Sequence, residues 1–130
     1  MATKRPASQA KKASYPRRGE IYLTALDPAV GQEVQKTRPA LIIQNDFSNR
    51  LSQITIVAPI TSTVRFPLNP LHVLLAADRA TGLSVTSVAV FNQIRAVDRR
   101  RLIKRLGSVN DETTARVDEA IKISLGLIQI

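Results

Sequence analysis

A small, mostly antiparallel, barrel-like β domain with one C-terminal helix is the fold class this sequence predicts. Three observations carry the prediction. Short runs rich in Val, Ile and Leu recur between residues 19 and 106, and Pro, Gly or Asn-Asp cuts each off before it reaches helical length. From Asn110 onward the apolar spacing changes from period two to that of a helix. A chain of 130 residues holds one independent core and not two. Strand pairing is not legible from spacing, and no internal repeat is present.

Gly19 to Ala25 places Ile21, Leu23 and Ala25 on one face and predicts a first strand, ended by Asp27-Pro28. Residues 27 to 37 predict a polar loop bending at Gly31. Ala40 to Gln44 is a continuous apolar strand, closed by Asn45-Asp46 and a turn through Asn49. Gln53 to Ile60 is the next strand, rich in β-branched residues. Arg65 to Pro70 is a loop kept extended by two prolines, His72 to Ala76 a strand, Thr81-Gly82-Leu83 a turn, and Ser87 to Asn92 a fifth strand. Arg99-Arg100-Arg101 predicts a short helical turn leading to a last strand, Leu102 to Leu106, stopped by Gly107. The helix then starts at a cap on Asn110 or Asp111, with Asp111 and Glu112 favourable to its dipole. It carries Val117, Ile121, Ser124, Leu125 and Ile128 on one stripe, and Gly126 ends it.

Composition narrows the chemistry. With no Cys and a single His, neither a disulfide framework nor a thiolate or imidazole metal cluster is expected within one chain. No metal or cofactor is expected, and a reducing cytosol fits. The apolar runs are far below membrane-spanning length, so a soluble, cytoplasmic protein without membrane contact is expected. Six basic and no acidic residues fall in the first eighteen, which concentrates there two-thirds of the formal net charge of +9. Residues 1–16 are expected to be a flexible basic extension, because they hold no large apolar residue before Tyr15, and residues 17–130 a single domain. The extension reads equally well as an electrostatic arm toward RNA, a solubilising tail or an organelle-targeting segment.

Arg38-Pro39 closes the polar loop and opens the run Ala40-Leu41-Ile42-Ile43. It sets a permanent cation near Glu33, where the planar donor fork of a guanidinium matches a phosphate. A second polar interruption, Pro59-Ile60-Thr61-Ser62, ends another strand. Should the two strand ends meet, an Arg, a Glu and two hydroxyls converge.

These residues and their neighbours resemble the MazF/PemK family of toxin endoribonucleases. The matching stretches are Arg18-Gly19-Glu20-Ile21-Tyr22, Gly31-x-Glu33, Arg38 through Asp46, Asn49, Ala58-Pro59-Ile60-Thr61, Gly82-Leu83, Ser87 through Arg95 with Asp98, and Ile123 through Leu127, in order over about residues 17 to 130. The resemblance implies an SH3-like barrel that pairs into a homodimer, with single-stranded mRNA as substrate and a cognate antitoxin as partner. It implies catalytic roles for Arg38 and Thr61, and substrate contacts for Arg18, Glu33, Asn45, Asn49, Arg65, Ser87, Gln93 and Arg95. The stretch Val34-Gln35-Lys36-Thr37 departs from the family in lacking a common glycine.

RNA carries its own nucleophile in the 2′-OH, so alignment and electrostatic stabilisation suffice for cleavage. The products are then a 2′,3′-cyclic phosphate and a 5′-hydroxyl. A free guanidinium titrates above pH 12, which favours Arg38 as anion stabiliser over general acid. Taken singly, Thr61 reads as a strand-end residue bonded to local backbone, Glu33 as a solvated carboxylate, Asn45 and Asn49 as turn residues, and His72 as a surface strand residue. Two other classes remain open from sequence: a non-enzymatic gyrase poison on the same barrel, as in the CcdB family, and a basic RNA-binding barrel without catalysis.

Overall fold

The computed structural model describes residues 15–26, 31 and 36–130; the expected basic extension and Glu33 lie outside the described residues. The elements run β1 (Glu20–Ala25), β2 (Thr37–Ile42), α1 (Asp46–Leu51), β3 (Ile54–Thr61), β4 (His72–Leu75), β5 (Ser87–Val90) and β6 (Arg95–Asp98). A 3₁₀ turn (Arg99–Arg101), β7 (Leu102–Ser108) and α2 (Asp111–Ser124) complete the order. All strand pairings are antiparallel, in the order β4-β5-β3-β2-β1-β7. β3 is shared along its length: Ile54 to Val57 pair with β6, and Ile60 and Thr61 with β5.

β2 and β3 read as continuous apolar runs because both of their faces are covered. Leu41, Ile43, Ala58 and Ile60 join Ala89, Phe91 and the α2 residues Val117 and Ala120 in the main core. The alternating residues Ala40, Ile42 and Val57 pack with Leu26 and Val97 in a second, smaller core. Helix α2 lies on the first of these. Asn110 caps it by accepting from the Thr113 amide at 2.8 Å, and Asp111 and Glu112 occupy its first turn. It ends where Gly126 takes φ +76° and the Leu127 amide donates to the Lys122 carbonyl at 2.8 Å.

Among the described residues the sheet does not close by a ladder: β4 and β7 are its unpaired ends. Backbone packing seals the gap instead. The turn after β4 lies on β7, and the Ser108 amide donates to the Ala80 carbonyl at 2.9 Å. A Cβ at Gly107 would overlap backbone atoms of Ala80 and Thr81, and one at Gly82, where φ is +72°, would overlap the Leu106 carbonyl. Gly107 therefore sits within β7 and does not stop it at Leu106.

Other boundaries also shift from expectation. β2 begins at Thr37, so Arg38 and Pro39 lie inside the strand, held by the pairs Arg38 with Thr24 and Pro39 with Leu23. The expected turn through Asn49 is the six-residue helix α1, capped by Asn45. β6 is hidden from sequence reading because Arg-Ala-Val-Asp offers one strongly β-forming residue; its pairing with β3 makes it a strand. On the predicted α2 stripe, Leu125 is largely exposed and Ala120 is buried in the core. Among the described residues, no helix is long and apolar enough to cross a membrane.

Candidate active site

The ladder between β2 and β3 pairs Ala40 with Pro59 and Leu41 with Ala58. Arg38 lies two residues outward from Ala40 on β2 and Thr61 two residues outward from Pro59 on β3, where Thr61 pairs with Val88 of β5. The end of β3 forms a ridge between two hollows. On one side Arg38, Ser62 and Ser87 line a cleft of about 390 Å³ with Leu23, Pro39 and Leu106. On the other, Thr61, Arg65 and Gln93 line one of about 510 Å³ with Thr63, Asn69, His72 and Asn92.

Thr61 is partly exposed, and its hydroxyl oxygen accepts the Thr63 amide at 3.2 Å, which leaves the hydroxyl proton to be donated outward. Ser87 is nearly buried and donates to the Val85 carbonyl at 2.9 Å, while its cleft-side neighbour Ser62 is exposed. Arg95 faces Val57 of β3, and its Nη1 donates to the Leu26 carbonyl at 2.9 Å. Arg101 Nη1 donates to the Ala25 carbonyl at 3.0 Å. Two guanidiniums thus hold the end of β1 opposite the residues that precede Arg38. Lys36, just before β2, adopts φ +72°, a left-handed conformation costly for a non-glycine residue.

Three expected substrate-binding residues lie elsewhere. Arg18 is beside Ile43, roughly 17 Å of strand from Arg38 at about 3.3 Å per residue. Its side chain bonds the Ile43 carbonyl at 2.9 Å and the Asp118 carboxylate of α2 at 2.8 Å. Asn45 spends its side-chain oxygen on the Ser48 amide at 2.8 Å. Asn49 is fully buried: its carbonyl oxygen accepts from Gln44 at 2.9 Å and Thr55 at 2.7 Å, and its amino group donates to the Gln44 carbonyl at 2.9 Å and to Asp46. Expected to read a base, Asn49 instead joins α1 to β3, because a buried amide must be satisfied and this one is satisfied within the fold.

Asn69, Asn92 and His72 share the hollow of Thr61, although the sequence alone does not mark them as site residues. Asn92 lies in the turn just after β5, and Asn69 and His72 depend on pairing that spacing does not reveal. At the edge of the basic cluster, hydrogen bonds from Arg100 hold the Asp98 carboxyl well below the usual carboxylate range, and Asp98 in turn raises Arg100. Burial, followed by the neighbouring Glu20 charge, pushes the Tyr22 phenol up.

Comparison with known proteins agrees with this fold. A family model described as "PemK-like, MazF-like toxin of type II toxin-antitoxin system" matches residues 17–125. The chain is 43% identical over 112 residues to endoribonuclease EndoA of Bacillus subtilis (strain 168), covering 86% of this chain and 96% of that protein. MazF from Deinococcus radiodurans superposes with a TM-score of 0.73 at 25% identity, over 87% of this chain and 98% of that one. An endoribonuclease from Mycobacterial species, solved in complex with its cognate antitoxin, shares the fold with a TM-score of 0.72 at 23% identity, over 88% and 99% of the two chains. The chain therefore belongs to the PemK-like, MazF-like toxins of type II toxin–antitoxin systems.

Proposed function

We propose that this toxin is a metal-independent, sequence-selective endoribonuclease that cleaves single-stranded mRNA. The observation that supports the chemistry is that Arg38 and Thr61 each lie two residues beyond the Ala40–Pro59 pair of β2 and β3, a guanidinium lining one hollow and an outward-donating hydroxyl lining the next. Arg38 neutralises the charge that builds on the phosphorane, and Thr61 donates to a non-bridging oxygen. The 2′-oxygen attacks the adjacent phosphorus as its proton passes to solvent water. The bond from phosphorus to the 5′ oxygen breaks, and that oxygen takes a proton through water. A 2′,3′-cyclic phosphate and a 5′-hydroxyl result. In this reading Arg65 and Gln93, in the hollow of Thr61, and Ser87, in the cleft of Arg38, supply phosphate and base contacts together with Arg95 of β6, while Arg18 and Asn45 serve the fold at the far end of β1. Glu33, five residues before Arg38 in the sequence, is a further candidate for base contact in this reading.

Incubating the purified protein with a long RNA in EDTA tests the reading against a gyrase poison and a non-catalytic RNA-binding barrel. Cleavage leaving cyclic phosphate ends is expected; an intact RNA overturns it. Replacing the ribose on the 5′ side of the scissile phosphate by deoxyribose should abolish cutting and scarcely change binding, and cutting at the same bond would mean that another nucleophile acts. The wider reading is a cytoplasmic homodimer whose basic groove is occupied either by RNA or by an acidic, disordered antitoxin segment. Light scattering at micromolar concentration that finds an active monomer would exclude the dimer.

A further inference from the structure

His72, the chain's only histidine, faces the hollow of Thr61 from two strands away. On β5, His72 pairs with Val90 and Thr61 pairs with Val88. Val88 and Val90 lie two residues apart, so His72 and Thr61 share a face of the sheet with β5 between them. Two interstrand steps of about 4.8 Å and an offset of about 6.6 Å along the strands separate their Cα atoms by roughly 12 Å. An imidazole and a threonine hydroxyl so spaced do not meet on one phosphate; they meet successive ones.

What lies between them is polar and of nucleotide dimensions. Val90 forms the floor of the hollow of about 510 Å³, Thr63 and Asn92 lie beside it, and Gln93, Arg65, Pro67 and Asn69 complete it. Asn69 fixes the loop to the strand: its Oδ1 accepts the Leu71 amide at 2.7 Å and its backbone carbonyl accepts the His72 amide at 2.9 Å. Three side-chain amides suit the edge of an unstacked base, and Arg65 with an imidazolium suits a phosphate.

We propose that this hollow binds the nucleotide adjoining the scissile phosphate, its base against Asn69, Asn92 and Gln93 and its phosphate between Arg65 and protonated His72. The assignment rests on the endoribonuclease reading and adds to it a determinant of specificity and a pH dependence of RNA affinity. The charges around His72 oppose one another. Arg65 approaches from the connecting loop, and Glu112, Arg116 and Glu119 of α2 line the neighbouring groove that His72 also borders, while β5 presents no titratable group. A phosphate bound between Arg65 and the imidazole favours the imidazolium by direct attraction.

A single histidine gives one set of imidazole proton resonances, so NMR titration tests the assignment directly. The probe is a single-stranded RNA oligonucleotide spanning the mapped cleavage site, with deoxyribose at the attacking position so that it binds uncut. On saturation the His72 titration midpoint should rise by about one pH unit. A neutral methylphosphonate at the phosphate next to the scissile one should abolish that rise. His72→Gln should raise KM severalfold at acidic pH, flatten its pH dependence and leave kcat within about twofold. An unchanged midpoint with bound oligonucleotide overturns the proposal and spares the enzyme assignment, as does a rise that disappears only when the scissile phosphate is neutralised. Failure of the oligonucleotide to bind, checked by fluorescence anisotropy, would strike the endoribonuclease reading beneath it.

Discussion

Thr61 has its hydroxyl oxygen tied to the Thr63 amide, and Arg38 is anchored through its strand and not through core packing of its side chain. Trimming either side chain should therefore spare the fold and strike the chemistry. Arg38→Ala and Thr61→Ala should each cost about 10²-fold or more in kcat, the scale on which one preorganised oxyanion donor matters, with unchanged thermal unfolding. Wild-type rates in Arg38→Ala would remove it from the mechanism. Asp98 is a different case, since its carboxylate accepts the Arg100 backbone amide at 2.8 Å and the Arg100 guanidinium at 3.0 Å. Its folded pKa is depressed, so its contribution to stability is present above the ordinary carboxylate value of about 3.9 and is lost as pH falls through the folded one. Asp98→Asn should lower the urea midpoint at pH 7, and the gap from wild type should narrow as the pH is taken below about 3.9.

Among the elements, α1 and the seam between β4 and β7 depend on opposite kinds of packing. Asn49 satisfies four hydrogen bonds in a closed site, so Asn49→Ala strands Gln44 and Thr55 and should cost roughly 3 kcal/mol. Gly107→Ala adds only a methyl group, yet backbone atoms of Ala80 and Thr81 occupy the space it needs across the seam. A loss of more than about 3 kcal/mol is expected there, larger than for ordinary overpacking because backbone has to move. A chemical denaturation midpoint within error of wild type for either variant would contradict these packings. Sequence foretold the apolar strands and a cap at Asn110 or Asp111, which Asn110 supplies, since periodicity and capping are local. It did not foretell β6, Asn49 or His72: β6 draws its identity from β3, Asn49 looks like a turn residue until α1 buries it, and His72 becomes a site residue only through β5. The meeting of Arg38 with Thr61 was legible only as a condition; the ladder of β2 on β3 runs to Ala40 and Pro59, two residues short of both.

At the scale of the whole molecule, charge is distributed unevenly. Helix α2 carries Asp111, Glu112, Asp118 and Glu119, four of the ten acidic residues, while the first eighteen residues carry only basic ones. Single-stranded RNA approaching such a chain is drawn first by long-range charge and then sorted by the site. Removing residues 1–14, which hold Lys4, Arg5, Lys11 and Lys12, should weaken binding and flatten the dependence of log affinity on log salt by about 0.7 for each phosphate that these side chains no longer neutralise. Cutting should persist. A truncated protein with the full salt slope would show that these residues do not touch RNA.

The register of β2 on β3 has the arithmetic of a ratchet. Side chains alternate along a strand, so sliding β2 by a single residue against β3 would exchange the two faces of the strand, turning Arg38 out of its cleft at the same stroke that pulled Leu41 out of the main core and Ala40 out of the smaller one. No partly slipped form keeps a partial site. Length changes are graded accordingly: an extra residue inserted before Lys36 lengthens a connection and can be absorbed there, whereas one inserted between Arg38 and Leu41 forfeits core and catalysis together. Cleavage activity thus reports, without any structural probe, whether these two strands are in step.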